Sequence, residues 1–187
     1  MPVSQEAHAG CLSFELSAKQ SRIVVNCGLP STSREGWRQV ARATAAHSTV
    51  TLNDTSSCRF IDSGPLKRML FGTPMIGGPR QVTVVREEQP DGVLLRASQD
   101  GYADIFNVVH QRVLVLSTDG RRLDGEDLFT PASGQAIPAD RDQFALRFHL
   151  HPSIKANRVA DGHSAMLLMP NKEAWIFNAY DDTVDLE

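Results

Sequence analysis

The sequence predicts an all-β fold: an antiparallel β-sandwich of about ten to twelve short strands, with at most one or two helical turns. Two observations carry this. Apolar and polar residues alternate with a period of two in run after run. Turn signals punctuate these runs at Pro90-Asp91-Gly92, Asp100-Gly101, Thr118-Asp119-Gly120, Asp161-Gly162 and Pro170-Asn171, and Asp-Gly between alternating apolar runs is a strong hairpin signal. A chain of 187 residues with 41% hydrophobic content suits one domain over residues 1–187, burying roughly 70% of the surface its unfolded form exposes. No motif recurs at a fixed period, which disfavours a propeller or solenoid.

In chain order, Leu12 to Ser17 alternates as a half-buried strand, and a polar turn at Lys19 to Ser21 leads into the apolar strand Ile23 to Val25. WRQVARATA (Trp37 to Ala45) is the stretch compatible with a helical turn or two, and alternation returns over Ser48 to Asn53. Asp62 to Pro79 is rich in Gly and Pro and reads as a long surface loop. Beyond it, strands are expected over Gln81–Arg86, Val93–Ser98, Ala103–His110, Arg112–Ser117, Leu123–Leu128, Phe144–Leu150, Ser164–Met169 and Ala174–Asn178.

Charge and composition narrow the function. The formal net charge is -3 and no long basic run occurs, so nucleic acid and anionic membranes are poor partners. No apolar run approaches the ~20 residues of a membrane span. The first residues, MPVSQEAHAG, show neither a basic nor an apolar leader region, so no signal peptide is expected, and the compartment stays open between cytoplasm and periplasm. Cys11, Cys27 and Cys58 are odd in number and lack metal-motif spacing; they are expected to be reduced thiols in or near the core. No Gly-x-Ser-x-Gly elbow and no phosphate-cradling glycine loop occurs. Trp37, Trp175, Tyr102 and Tyr180 are expected mainly as packing residues.

The stretch from Arg22 to Ser57 carries the functional signal. It is an apolar strand ending in Asn26-Cys27-Gly28, a Trp37-Arg38 segment, and Ala46-His47-Ser48-Thr49-Val50 at a strand start. This order resembles the C-terminal β-domain of heparinase II/III-type polysaccharide lyases, whose pattern is an Asp-x-Gly strand end, a Trp-Arg segment and Ala-His-Asn-Thr-Val. The family's His-x-Asp-Ala-Gly-Ser-Phe aligns with His8 to Phe14, where Ser13-Phe14 is kept and Leu12 replaces the glycine. The segment from Val108 to Phe129 is similar to the family's His-x-Arg strand followed by its Asp-bearing strand.

The resemblance implies a metal site at His8, Asn26 and His47, holding a divalent ion such as zinc or calcium. Asn26 replaces the family's aspartate and brings no negative charge, so a hydrogen-bonded polar cluster is the alternative. Glu6 stands where these lyases carry a further, catalytic histidine. The remaining acid-base machinery in the family lies on an upstream α-helical toroid. This chain is therefore expected to be part of a longer protein, to contribute no catalytic residue of its own, and to act beside that N-terminal α-helical domain on an acidic polysaccharide. A homodimer through an exposed β-edge is a further expectation.

A second histidine group lies in FALRFHLHP, where alternation places Arg147, His149 and His151 on one strand face. The His-x-His resembles the metal-binding pair of cupins, but Lys155 occupies the place of their glutamate. A solvent-facing polar stripe is the default reading, and a sugar-binding face the functional one. His110 and Arg112 share the spacing and extend the stripe if their strands are neighbours, with Arg112 suited to bidentate contact with sulfate or carboxylate.

Overall fold

In the computed structural model, the described residues are 6–28, 35–61, 73–137, 143–180 and 182–187. They form fourteen strands, all paired antiparallel, and two short α-helices. A three-stranded sheet joins β1 (Leu16–Ala18), β2 (Ser21–Val25) and β11 (His149–Leu150). A short pair joins β3 (Val50–Leu52) to β10 (Phe144–Leu146), and another joins β4 (Arg59–Phe60) to β5 (Met75–Gly77). The largest sheet runs β6 (Val82–Gln89), β7 (Gly92–Tyr102), β8 (Val108–Ser117), β9 (Leu123–Pro131) in plain meander order. A last meander holds β12 (Lys155–Arg158), β13 (Ser164–Leu168) and β14 (Ala174–Asn178). Helix α1 spans Glu35–Arg42, α2 spans Ala103–Phe106, and a 3-10 turn covers Thr44–Ala46.

Four of the five turn signals make hairpins. Gln89 pairs with Gly92 across Pro90-Asp91, and Gly120 and Gly162 adopt φ of +66° and +77° between their strands, a conformation glycine reaches without Cβ clash. Asp100-Gly101 behaves differently: it lies inside β7, at a register shift between Gln99 and Tyr102. A Cβ on Gly101 would meet the Ser57 carbonyl at 2.6 Å, so the glycine serves a close backbone approach. The reversal falls later, at α2, which Asn107 caps in the left-handed region at φ 58°. The expected strands Ala103–His110 and Arg112–Ser117 are therefore one helical turn followed by one ten-residue strand.

Other boundaries shift for similar reasons. Of Leu12–Ser17, only the end is strand, because Cys11 and Leu12 form a turn. Phe144–Leu150 splits in two, since β10 pairs with β3 and β11 pairs with β2. Residues 62–72 of the expected loop lie outside the described residues, and Met75–Gly77 beyond them is strand.

Two apolar clusters hold the layers. One gathers Val50, Leu52, Tyr102, Phe106 and Val108, with Phe129, Ile137 and Leu146 against it. The Tyr102 hydroxyl, fully buried, donates to the Val50 carbonyl at 2.9 Å and pins β7 to β3. The other gathers Ile23, Val24, Leu167 and Met169, with Phe14, Phe148, Leu150, Trp175 and Phe177 around them. Tyr102 and Trp175 are packing residues as expected, whereas Trp37 and Tyr180 are exposed. No disulfide occurs; Cys58 is buried and Cys11 half-buried, but Cys27 is exposed.

Candidate functional site

The segment between α1 and β3 builds the site. Its 3-10 turn ends at His47, whose Nδ1 lies 2.9 Å from the Ala43 carbonyl. That bond places a proton on Nδ1 and leaves Nε2 as the free lone pair. His8 Nδ1 lies 3.1 Å from this Nε2, with the two rings edge to face. Burial lowers the His47 pKa, and the neighbouring His8 and His149 add to the effect, against the Ala43 hydrogen bond. His47 is accordingly held neutral.

The strand of chain carrying His8 is gripped on both sides. Arg42 Nε donates to the Ala7 carbonyl at 2.8 Å, Ala9 N–H donates to the Arg42 carbonyl at 2.8 Å, and Thr44 Oγ1 donates to the Ala9 carbonyl at 2.8 Å. Gly10 then passes directly over the His47 ring: a Cβ there would lie 2.5 Å from His47 Cδ2. The turn that follows closes with Ser13 N–H and Oγ on the Gly10 carbonyl, and Leu12 sits in it at φ 58°. Leu12 thus keeps a left-handed conformation at the very position where the lyases' motif has glycine, at a cost of roughly 1–2 kcal/mol.

Ser48, fully buried, is the junction. Its N–H donates to Asn26 Oδ1 at 2.8 Å, its hydroxyl donates to the Val25 carbonyl at 2.8 Å, and it receives the His149 N–H at 2.9 Å. Asn26 is therefore a bracket from the end of β2 to the residue after His47. His149 joins the group by a second route, its Nε2 lying 2.9 Å from the Ala45 carbonyl.

Arg112 reaches the same junction from below. Its guanidinium makes a two-pronged pair with Asp127 (Nε to Oδ1 2.8 Å, Nη2 to Oδ2 3.0 Å), and Nη1 donates to the carbonyls of Leu12 at 2.9 Å and Ser48 at 3.0 Å. His110 Nε2 meets the same carboxylate at 2.6 Å, and its ring stacks on Phe129. Burial raises the Asp127 pKa, but the His110 and Arg112 hydrogen bonds and the Arg112 charge outweigh it and hold the carboxyl below its usual range.

The eight residues singled out from the sequence thus divide. His8, Asn26, His47 and His149 come together around Ser48. Arg147 lies on the flank, with Nη1 2.5 Å from Thr51 Oγ1, and His151 turns to Ser153 Oγ at 2.8 Å. His110 and Arg112 do not extend their stripe: β8 and β11 belong to different sheets, and these two side chains are 0% and 3% exposed. Alternation had assigned them a face but not which face was inner. Ser48 and Gly10 were not among the candidate site residues, and Asp127 entered only within the segment likened to the family's Asp-bearing strand. Asp127 had a signal in principle, since it stands directly opposite Arg112 in the β8–β9 register.

The Heparinase II/III-like, C-terminal family model matches residues 1–187, the whole chain. The chain belongs to this family. A Caulobacter vibrioides (strain NA1000 / CB15N) protein described as FtsZ-localized protein C is 29% identical over 190 residues, covering 100% of this chain and 32% of that protein. The chain therefore spans about a third of the length of the curated relative it matches. No solved structure matches. Among the described residues, no group of three or more His, Cys, Asp or Glu side chains is disposed to hold a metal ion.

Proposed function

We propose that this chain is the β-domain of a polysaccharide lyase acting on uronate-containing acidic glycans by β-elimination, working beside an α-helical domain that carries the acid-base groups. The observation that carries this reading is the His8–His47 contact at 3.1 Å, built from the family's two histidine motifs on a whole-chain family match. In the reaction, the glycan carboxylate at C5 must be neutralised, the C5 proton removed and the leaving oxygen protonated. This chain's share is to line one wall of the cleft. Arg147 and His151, both half-buried, offer hydrogen-bond donors for sulfate or carboxylate along that wall, with His149 between them holding the Ala45 carbonyl. His110 and Arg112 act on it from beneath, through Asp127 and Ser48.

The donor set argues for a metal-independent cluster. Two nitrogens 3.1 Å apart could flank one zinc at about 2.0–2.1 Å from each. Asn26, however, has its amide oxygen committed to Ser48 N–H and carries no charge to offset a divalent cation. His8, Asn26 and His47 thus work as a hydrogen-bonded bracket. Stoichiometric zinc or calcium in the purified chain that disappears in His47→Ala would overturn this assignment.

The lyase reading is tested with the full-length protein on a panel of acidic glycans. The expected result is ultraviolet absorbance from the unsaturated uronate product, lost in His8→Ala. Glycan binding with no chromophore on any member of the panel would sink it. That outcome would favour a second reading, a non-enzymatic β-sandwich that binds glycan or protein at the cell envelope. Two observations lean that way: Glu6 at the place of the lyases' further histidine, and a relative named for its localisation with FtsZ.

A further inference from the structure

Strand β6 inverts the usual rule for a sheet. All eight of its residues are exposed, with Val82, Val84 and Val85 at 52%, 62% and 48%. Val82 and Val84 pair with Gln99 and Ala97, both buried, so the sheet's inner face runs out of cover one strand before its edge. Among the described residues β6 pairs only with β7, over an unbroken register from Val82 to Gln89. Proline, lysine and a bulge, three devices that protect an edge, are absent from it, and its charges, Arg86, Glu87 and Glu88, are confined to the second half of the strand.

The outward backbone groups are also in order. The Gln89–Gly92 pair closes a two-residue turn, and such a pair points its N–H and C=O across the hairpin. Counting back by twos, Val82, Val84, Arg86 and Glu88 present theirs to the open edge.

We infer that a second copy of this chain pairs with β6, antiparallel and about a two-fold axis at Val84, so that the four-stranded sheets of two chains become one continuous sheet. The charges select this register. With Val84 facing its own copy, Val82 faces Arg86, Thr83 faces Val85, and Glu88 faces Arg80, two residues before β6. This opposite-charge pair is made twice, in exchange for the exposed Arg80–Asp104 and Arg86–Glu88 pairs of the single chain. Centring on Arg86 would oppose two arginines, and centring on Thr83 would oppose Arg80 to Arg86; both are disfavoured. Centring on Val85 avoids like charges but forms no ion pair. A second copy places Val84 against Val84 at the axis and lays Val82 and Val85 against Arg86 and Thr83, whose aliphatic parts cover them.

Sedimentation of the chain from low to high micromolar concentration tests this. The wild type is expected as a dimer, and Val84→Lys, whose charge would meet itself at the axis, as a monomer whose thermal transition matches the wild type's below the dimerisation range. E88R alone and R80E alone are each expected to be monomeric, because each opposes like charges. Mixing the two single variants is expected to restore dimer, since both cross-strand pairs become attractive again. A wild type that is monomeric throughout, a dimer that survives Val84→Lys, or a mixture that fails to recover would each overturn the proposal.

Discussion

The two ends of the four-stranded sheet are built from opposite materials. On β8 and β9, an arginine, a histidine and an aspartate lie buried on the inner face. On β6, three valines face solvent. Residue type alone would have assigned them the other way round. What decides is place in the topology. Arg112 and Asp127 stand opposite each other on neighbouring strands, so each charge is desolvated against its partner, and the spare guanidinium nitrogen finds two carbonyls. β6 is the last strand of its sheet, and among the described residues it pairs only with β7. The charged end fixes the site's loops from beneath, and the apolar end is left for a partner.

The largest effect should come from breaking the charged end. Asp127→Ala strands the Arg112 guanidinium without its counter-charge, and removing one member of a buried pair costs roughly 3–5 kcal/mol. Urea unfolding measures this, and a loss below 1 kcal/mol would mean that the pair is solvated. The same truncation at Val84, below the dimerisation range, should stay within about 0.5 kcal/mol. Next in size is Gly10→Ala. Its Cβ would press on the His47 ring, and overpacking of this kind costs roughly 1–3 kcal/mol. The His8 and His47 imidazole resonances should shift with it, and unmoved resonances would show that the loop yields without disturbing the pair.

How much of this was legible in the sequence follows from what alternation encodes. Most strands of the meander sheets, and four of their turns, were readable because period-two patterning and Asp-Gly or Pro-Asn signals are local; β12 was missed, since Lys155-Ala156-Asn157-Arg158 carries only one apolar residue. Gly101 looked like another turn, but its role is to clear the Ser57 carbonyl, a contact made across 44 residues of chain. Phe144 to Leu150 alternates without a break, yet it serves two sheets because Arg147 N–H turns to the Thr49 carbonyl between them. His8, Asn26 and His47 were found through their motif context. Their junction at Ser48 was invisible, since its four bonds reach strands and loops that only the fold brings together. Arg112 was recognised as a chemically capable residue and placed on the wrong side of its sheet, because register with Asp127 is a property of pairing.

A smaller effect, of opposite sign, concerns Leu12. Leu12→Gly removes a side chain from a left-handed position and should raise stability by up to about 1 kcal/mol, the relief being partly offset by glycine's greater freedom in the unfolded chain. The thermal transition reports it. A fall would mean that the half-buried Leu12 side chain contributes more by packing than its backbone loses by strain.

The smallest predicted effect is in the pH dependence of stability, and it separates the site from the strut beneath it. His47 titrates below its ordinary value of 6.5 in the folded protein. As pH falls past that value the unfolded chain takes up the proton first, so stability declines on the acid side of pH 6.5. Asp127 is also depressed, but for a carboxylate the stabilisation persists above its ordinary pKa and is lost only as pH falls through the lower folded value, in a window below about pH 4. His47→Gln should therefore flatten the slope just below pH 6.5 and leave the more acid loss in place. Denaturant midpoints measured across both windows distinguish the two groups. A slope unchanged in His47→Gln would move the near-neutral titration to another residue and leave His47 neutral for reasons of packing alone.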